Sequence, residues 1–364
     1  MLFQRGQNMS SLDWLVTNRI LSRIALVVFV FFGLICLTES LDSWRFEFLT
    51  NTRGQDIAIL AIVANAARWS IKALPVTVLI GGIIALIDLQ SHRELLVIKA
   101  SGISIWRIIY TPIIAIAIIA ASISVFIDAK VTEINRSIMP SLQTTTQSVG
   151  GNKQVWLEQS FGEMRYVIEG DKIGFKVYEL KNITVFLPPK SEYSRVEAKT
   201  GYLSNGEWLL ENVTLFAPSK AAKIAEKYSI ATSSNISELE LRLASTDDFT
   251  FFELKDALAS DMNDPIAQAA AATRFAKLMA LPALLVGVLL IAFAFTSQFR
   301  RTDSYGRVIV TGIILGFIVF VITEMADRAG SAGVLSPMLA AWGSPIVAIV
   351  IGITVLLYKE DGET

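Results

Sequence analysis

Hydrophobic residues are arranged along this chain in two ways. Unbroken apolar runs fill the first third and the last quarter, while the middle alternates apolar and polar residues over short stretches. A helix needs about 20 apolar residues to cross a bilayer. The runs that qualify predict spans at 20–37, 57–89, 103–127, 275–295, 308–325 and 342–358. Each is expected to be helical, because an open strand leaves backbone N–H and C=O groups unpaired in lipid. The second run is too long for one crossing. Arg68 and Lys72 interrupt it and Pro75 can kink it, so it is expected to project beyond the membrane before entering it. The first run follows Arg19 and Arg23, as a secretory signal would. The residues after it, Thr38-Glu39-Ser40-Leu41-Asp42, carry no small-x-small cleavage pattern, and a retained span is expected.

From about residue 128 to 268 the pattern changes to the period of half-buried strands, at 155–157, 164–169, 174–180, 183–187, 207–215 and 239–243. Turn signals separate them: Glu169-Gly170-Asp171, Pro188-Pro189, Ser204-Asn205-Gly206 and Ala217-Pro218-Ser219. This stretch of about 140 residues is long enough for a core of its own. It reads as an antiparallel sheet folded into a sandwich or open barrel. Residues 247–260 suggest a short amphipathic helix or linker, and Asp264-Pro265 a break before the fourth span.

Composition sharpens this picture. Of 364 residues, 53% are hydrophobic and 18% charged, where a soluble domain carries about a quarter charged residues. The mean hydropathy is +0.52. A net charge of −1 supplies no basic field for nucleic acid. Cys36 and His92 are the only residues of their types, which rules out an internal disulfide and a closed Cys/His zinc site. A Ser/His/Asp triad has no support either, since His92 sits in a short charged loop. No catalytic residue, metal or cofactor is expected. No glycine-rich phosphate loop of Walker type occurs, so energy for any transport must come from a separate nucleotide-binding chain.

Basic residues in short loops set orientation. Arg5, Arg19 and Arg23 precede the first span; Arg93, Lys99 and Arg107 lie between the second and third; Arg300, Arg301 and Arg307 lie between the fourth and fifth. The opposite loops are poorer, with Arg45 and Arg53 balanced by acids, and Arg328. Both termini are therefore expected in the cytoplasm, and the strand-rich segment outside.

The loop from Ser91 to Arg107 is too apolar to be merely solvated. Glu94 followed by Leu95, Leu96 and Ile98 suggests an amphipathic helix, which Ser101-Gly102 stops. Two readings are open: insertion into a groove of a cytoplasmic partner, or a helix lying on headgroups.

The same loop resembles the signature of the LptF/LptG permease family, through Arg93-Glu94-Leu95, Ala100-Ser101-Gly102-Ile103-Ser104, Trp106-Arg107 and Pro112. The similarity continues at Pro282, Arg300-Arg301, the run from Gly306 to Gly312, Gly316-Phe317, Pro337, Ala340-Ala341-Trp342 and Pro345. Val310-Thr311-Gly312, Gly316-Phe317 and the short tail lie nearer the LptG branch than its paralogue LptF. The resemblance implies an α-helical membrane protein with six transmembrane helices and a periplasmic antiparallel β-jellyroll. Its domains would be helices one to three (1–129, with a cytoplasmic coupling helix at about 91–101), the jellyroll (130–268) and helices four to six (269–364). It also implies a non-catalytic permease of the bacterial inner membrane that exports lipopolysaccharide. The implied partners are LptF, an LptB ATPase dimer, LptC and, through the periplasmic bridge, LptA.

In such a subunit Arg93, Glu94, Leu95, Ser101 and Gly102 would contact the ATPase, the family acid falling on Glu94. Arg68, one turn from Lys72 on the same helix face, falls where the family carries a basic residue implicated in lipopolysaccharide binding. A guanidinium there grips phosphate with two parallel hydrogen bonds. The alternative is that both side chains snorkel or pair with Glu39 or Asp42. Arg136 resembles a second family basic position. Arg274 and Lys277 would extend a basic rim, with Lys277 a substrate contact, or else anchor the interface. Glu324, Asp327 and Arg328 are expected to pair with one another. The chain departs from the family at Glu39, where LptG has a lysine, so the family's basic ring does not transfer residue by residue. The apolar faces of the first and fifth spans are expected to gate a lipid cavity, and Gly312 and Gly316 form a small-xxx-small pair suited to close helix approach. A different class of protein, a membrane-anchored periplasmic scaffold, would leave the cytoplasmic loop without a role.

Overall fold

The computed structural model describes residues 2–41, 46–47, 49–51, 54–91, 105–138, 154–162, 164–173, 176–189, 191–204, 206–218, 220–233, 246–259, 264–296 and 305–361. They form two compact units, residues 1–134 with 272–364, and residues 135–271.

Six helices of the first unit are long and apolar enough to cross a membrane. They lie in α1 (Leu2–Ser40), α3 (Leu74–Ser91), α4 (Ile105–Ser122) with its continuation, α7 (Pro265–Thr296), α8 (Tyr305–Ser331) and α9 (Pro337–Asp361). The over-long second run is two helices. A separate helix α2 (Gln55–Lys72) ends where the Ala73 N–H donates to the Trp69 carbonyl (3.0 Å), and α3 begins beyond it. Pro75 explains the break: it has no N–H to give and fits only in a first turn. The charged residues Arg68 and Lys72 thus stay on α2, outside the crossing helix.

The helix α3 is buried around its circumference, at Leu74, Val78, Leu79, Ile83, Leu86 and Leu89 among others, the mark of a core helix. Its neighbours reach it through small residues. A Cβ at Gly81 would lie 2.6 Å from the Ile24 Cα of α1, and one at Gly316 would lie 3.2 Å from Val76 Cγ1. Gly312 and Gly316 do therefore mark a close helix approach, with α3 as the partner.

The third span does not stop at residue 127. After α4 the chain makes one π turn (Ile123–Ile127) and continues as α5 (Asp128–Ile138). The Ser124 hydroxyl donates to the Leu278 carbonyl of α7, tying the π turn to that helix.

The second unit holds strands β1 (Gln154–Phe161), β2 (Met164–Ile173), β3 (Lys176–Phe186), β4 (Arg195–Ser204), β5 (Glu207–Phe216) and β6 (Lys223–Ala231). They form one antiparallel sheet in the order β1-β2-β3-β4-β5-β6, as the alternating sequence implied. Every described pairing is between consecutive strands, and no long crossover joins them. The expected pair of strands at 174–180 and 183–187 is the single strand β3. β4 and β6 are additional to those expected, and the strand expected at 239–243 lies outside the described residues. The core gathers Leu157, Tyr166, Ile168, Leu180, Val185, Val196, Trp208 and Leu215. Inside it the Thr232 hydroxyl donates to Gln159 Oε1 (2.6 Å) and the Tyr166 hydroxyl to the Ala231 carbonyl (2.8 Å). Burial pushes the Tyr166 phenol up to about 12.

A short helix α6 (Phe251–Ala259) falls where an amphipathic helix was expected. A reciprocal capping box starts it: the Thr250 N–H donates to Glu253 Oε2 (2.8 Å) and the Glu253 N–H to the Thr250 hydroxyl oxygen (3.3 Å). Asp264 caps α7 by accepting from the Ile266 N–H (2.9 Å), with Pro265 at the first helical position.

Candidate functional site

Two recesses in the membrane unit share the helix α2. The first is an apolar cavity of ≈ 530 Å³ walled by α1 (Leu21, Val28, Phe32), α2 (Ala67, Ile71), α4 and Leu285 of α7. Ligand pockets run from about 300 to 1,000 Å³, so it has room for hydrocarbon. Its one polar side chain, Ser70, spends its hydroxyl on the Ala66 carbonyl (2.8 Å). Nothing in this wall selects a polar ligand.

The second recess is charged. Lys72, Arg274, Lys277, Glu324 and Asp327 line it, together with Ile71, which faces both recesses. Lys277 Nζ donates to Asp327 Oδ2 at 2.6 Å and lies 4.0 Å from Glu324. Arg328 reaches Glu324 at 3.4 Å. The expectation that Glu324, Asp327 and Arg328 pair among themselves is thus met for one pair, while Asp327 turns to Lys277 on α7. Lys72 Nζ stands 5.3 Å from the centre of the Trp69 ring, within reach of a cation–π attraction. Arg68 is half-buried on the same helix and does not line this recess.

Arg274 lines this recess from a buried position. It is buried, and its Nη2 donates to both oxygens of buried Asp128 (3.0 and 3.1 Å), just past the π turn. This pair joins α7 to α5. A buried carboxylate and a buried guanidinium hold each other in place, because either alone would carry an uncompensated charge.

Arg136 belongs to the second unit. Its guanidinium forks onto Glu253, Nη1 to Oε1 at 2.9 Å and Nη2 to Oε2 at 2.7 Å, and also donates to the Asp248 carbonyl (2.6 Å). The Phe249 ring lies 5.9 Å away. Burial alone would raise the Glu253 carboxyl. The hydrogen bonds from Arg136 and the Thr250 N–H outweigh it and hold the carboxyl below its ordinary value.

The structure therefore brings Lys72 and Lys277 to one recess, and Arg136 belongs to the other unit. Arg93, Glu94, Leu95, Ser101 and Gly102 lie outside the described residues. Three acids escaped sequence reasoning, Glu253 among them. Asp128 stood just past the expected end of the third span, at the start of the strand-rich segment. Asp88 is the only charged residue of α3, and its signal was available in principle: a lone acid in the last turn of a span, at the membrane side where Arg19 and Arg23 also fall.

Among protein-family models, the one described as "Lipopolysaccharide export system permease LptF/LptG" matches residues 14–358. No curated protein matches the chain.

Proposed function

Because the chain belongs to the LptF/LptG permease family, whose members are lipopolysaccharide export permeases, we propose that it is the LptG-type subunit of the exporter. In this reading it extracts lipopolysaccharide from the inner membrane and passes it through its β unit to a periplasmic bridge. What carries the reading is the family match over residues 14–358. The match fits both branches of the family; Val310-Thr311-Gly312 and Gly316-Phe317 are what favour LptG over LptF. The chain supplies no hydrolysis. ATP is turned over in an LptB dimer docked against the loop at 91–101, LptF completes the membrane part, and LptC continues the β unit toward LptA. Both termini lie in the cytoplasm, and residues 130–268 form the periplasmic part, between helices one to three (1–129) and four to six (269–364).

The geometry suits an amphiphile. Hydrocarbon enters between apolar helix faces, while phosphates meet Arg68, Lys72, Lys277 and Arg136. Two of these cations already hold carboxylates, Lys277 with Asp327 and Arg136 with Glu253. Phosphate binding there is an exchange, in which a charge-assisted hydrogen bond to an acid gives way to one to the lipid. Such an exchange keeps each of these cations paired at every stage. It also permits release.

Glu94→Ala and Glu94→Lys test the reading. In the reconstituted complex both should lower coupled ATPase activity and lipopolysaccharide transfer together. A membrane-anchored scaffold predicts no change in either, and that result would remove the transporter assignment.

A further inference from the structure

The β unit buries one face of its sheet, and the other face carries more than solubility requires. Leu157, Ile168, Val185, Val196 and Leu215 point inward and are buried. Their neighbours in sequence point outward, and the strand register aligns them from β1 to β5. One outward row runs Glu158, Val167, Phe186, Arg195 and Phe216. The row beside it runs Trp156, Glu169, Thr184, Glu197 and Thr214. With strands 4.7–4.9 Å apart, the five make a face about 19 Å wide. Trp156 and Phe186 remain 60% and 40% exposed, and their rings lie parallel within 6°, centroids 6.0 Å apart. The Arg195 guanidinium lies over the Phe216 ring, 4.5 Å from its centre, and its Nη2 meets Glu197 Oε1 at 2.9 Å. Rings and guanidinium are thus held in place before any ligand arrives.

The mixture of groups selects among ligand classes. The core of a protein interface is depleted of Glu and Asp, and covering a carboxylate without giving it a donor is costly. Hydrocarbon would leave the same carboxylates dry. Within these two rows three carboxylates stand against one guanidinium, a balance that repels phosphate chains and anionic headgroups. A neutral sugar answers every group present. Its C–H face suits the negative face of an aromatic ring. Its hydroxyls donate to carboxylates, and its oxygens accept from a guanidinium that can only donate. Thr184 and Thr214 can do either.

We propose that this outward face is a carbohydrate-binding platform that takes a neutral hexose chain, the outer sugars of the exported lipid. Trp156 and Phe186 stack the sugar rings, Arg195 donates to them and Glu169 accepts from their hydroxyls. The face is open, not a closed pocket, so each contact is shallow and a chain can advance along it without a large barrier. The phosphorylated part of the lipid is served elsewhere, by the cations of the membrane unit. The inference rests on the reading that the cargo is lipopolysaccharide and that the β unit is periplasmic.

The test uses the full exporter complex in detergent. The probe is the sugar chain cut from lipopolysaccharide by mild acid and then dephosphorylated. Saturation-transfer NMR should detect its binding to wild type, weakened about fivefold in Trp156→Ala and partly regained in Trp156→Phe. If Trp156→Ala fails to assemble, Arg195→Ala removes a second contact and should weaken binding in the same direction. Wild-type affinity in the assembled variants would overturn the platform. So would loss of a partner subunit from Trp156→Ala with sugar binding unchanged, which marks a protein interface, or a preference for cell-wall glycan strands over the lipid's own sugars. In proteoliposomes, Trp156→Ala should slow transfer of lipopolysaccharide with its full sugar chain and leave transfer of a lipid trimmed to its phosphorylated inner sugars at the wild-type rate. If wild type moves neither lipid, the export reading has failed and the NMR result alone decides the platform. If wild type moves both and Trp156→Ala matches it on both, the export reading stands and the platform has failed.

Discussion

The helices α3 and α8 touch, yet their surroundings are opposite. Of the apolar stretch of α3, 72% is buried inside the chain; the figures are 11% for α8 and 17% for α1. Hydropathy runs the other way, 1.8 for α3 against 2.4 and 2.7. In water the more apolar helix would be the inner one. In lipid, burial brings no hydrophobic gain, and position is decided by how closely backbones approach and by which polar groups find partners. The helix α3 earns its central place with Gly81 and Gly82, and with Asp88 held by Arg19 and Arg23 of α1. The exposed faces of α1 and α8 are left as surfaces that a lipid or a partner helix can replace at little cost.

The strongest way to break this contrast is to strip a charge from the interior. Arg274→Ala leaves Asp128 buried and unpaired, and should cost about 3–5 kcal/mol, read as a fall in the melting temperature of the detergent-purified protein. Arg274→Met with Asp128→Leu should recover most of it. Next comes the backbone contact. Gly81→Ala forces α1 and α3 apart at Ile24 and should cost about 1–3 kcal/mol. Gly33→Ala, on the open part of α1, should cost nothing measurable by the same melt.

A gentler probe contrasts the sheltered Asp128 pair with the half-exposed Arg136–Glu253 pair. The Glu253 carboxyl lies below its ordinary value in the folded state. Its contribution is therefore fully present above the ordinary carboxylate pKa and lost as pH falls through the lower folded value. Hydrogen exchange of α6 should quicken over that acidic window in wild type and show no such step in Glu253→Gln. Thr250→Ala, which removes the cap, should cost about 1 kcal/mol. The smallest effect belongs to the open face: Ile314→Val should change stability by less than about 0.5 kcal/mol.

The spans were legible because twenty apolar residues in a row admit one structure in lipid. The break at Ala73 was half legible: Pro75 marked a kink, but not that α2 would end as a separate helix. The strands were harder to read for a reason visible in the sheet. Burial in β3, β4 and β5 changes phase at adjoining places, Leu180 to Ile183, Ala198 to Gly201 and Leu210 to Val213. Asn182 and Asn212 sit there with positive φ (48° and 54°). At such a step the period-two pattern breaks, so β3 reads as two strands and β4, with only Ala198 and Gly201 facing inward at its middle, is lost, while the large apolar residues on both sides of the step in β5 keep it legible as one strand. The sheet edge β6 is mostly exposed and has little alternation to show. Lys72 and Lys277, which line one recess, stood out in the sequence as charges within or beside apolar runs. Which carboxylate each cation would meet was not legible, because Lys277 and Asp327 are 50 positions apart and Arg19 and Asp88 are 69.

The central claim is that the loop after α3 and the β unit lie on opposite sides of the membrane, with force entering by the first and lipid leaving by the second. Replacing Cys36 and then placing single cysteines at His92 and Lys220 tests it directly with a membrane-impermeant maleimide. The account predicts that intact spheroplasts label position 220 alone, and that position 92 reacts only once the inner membrane is opened. Labelling of position 92 in intact spheroplasts would contradict it.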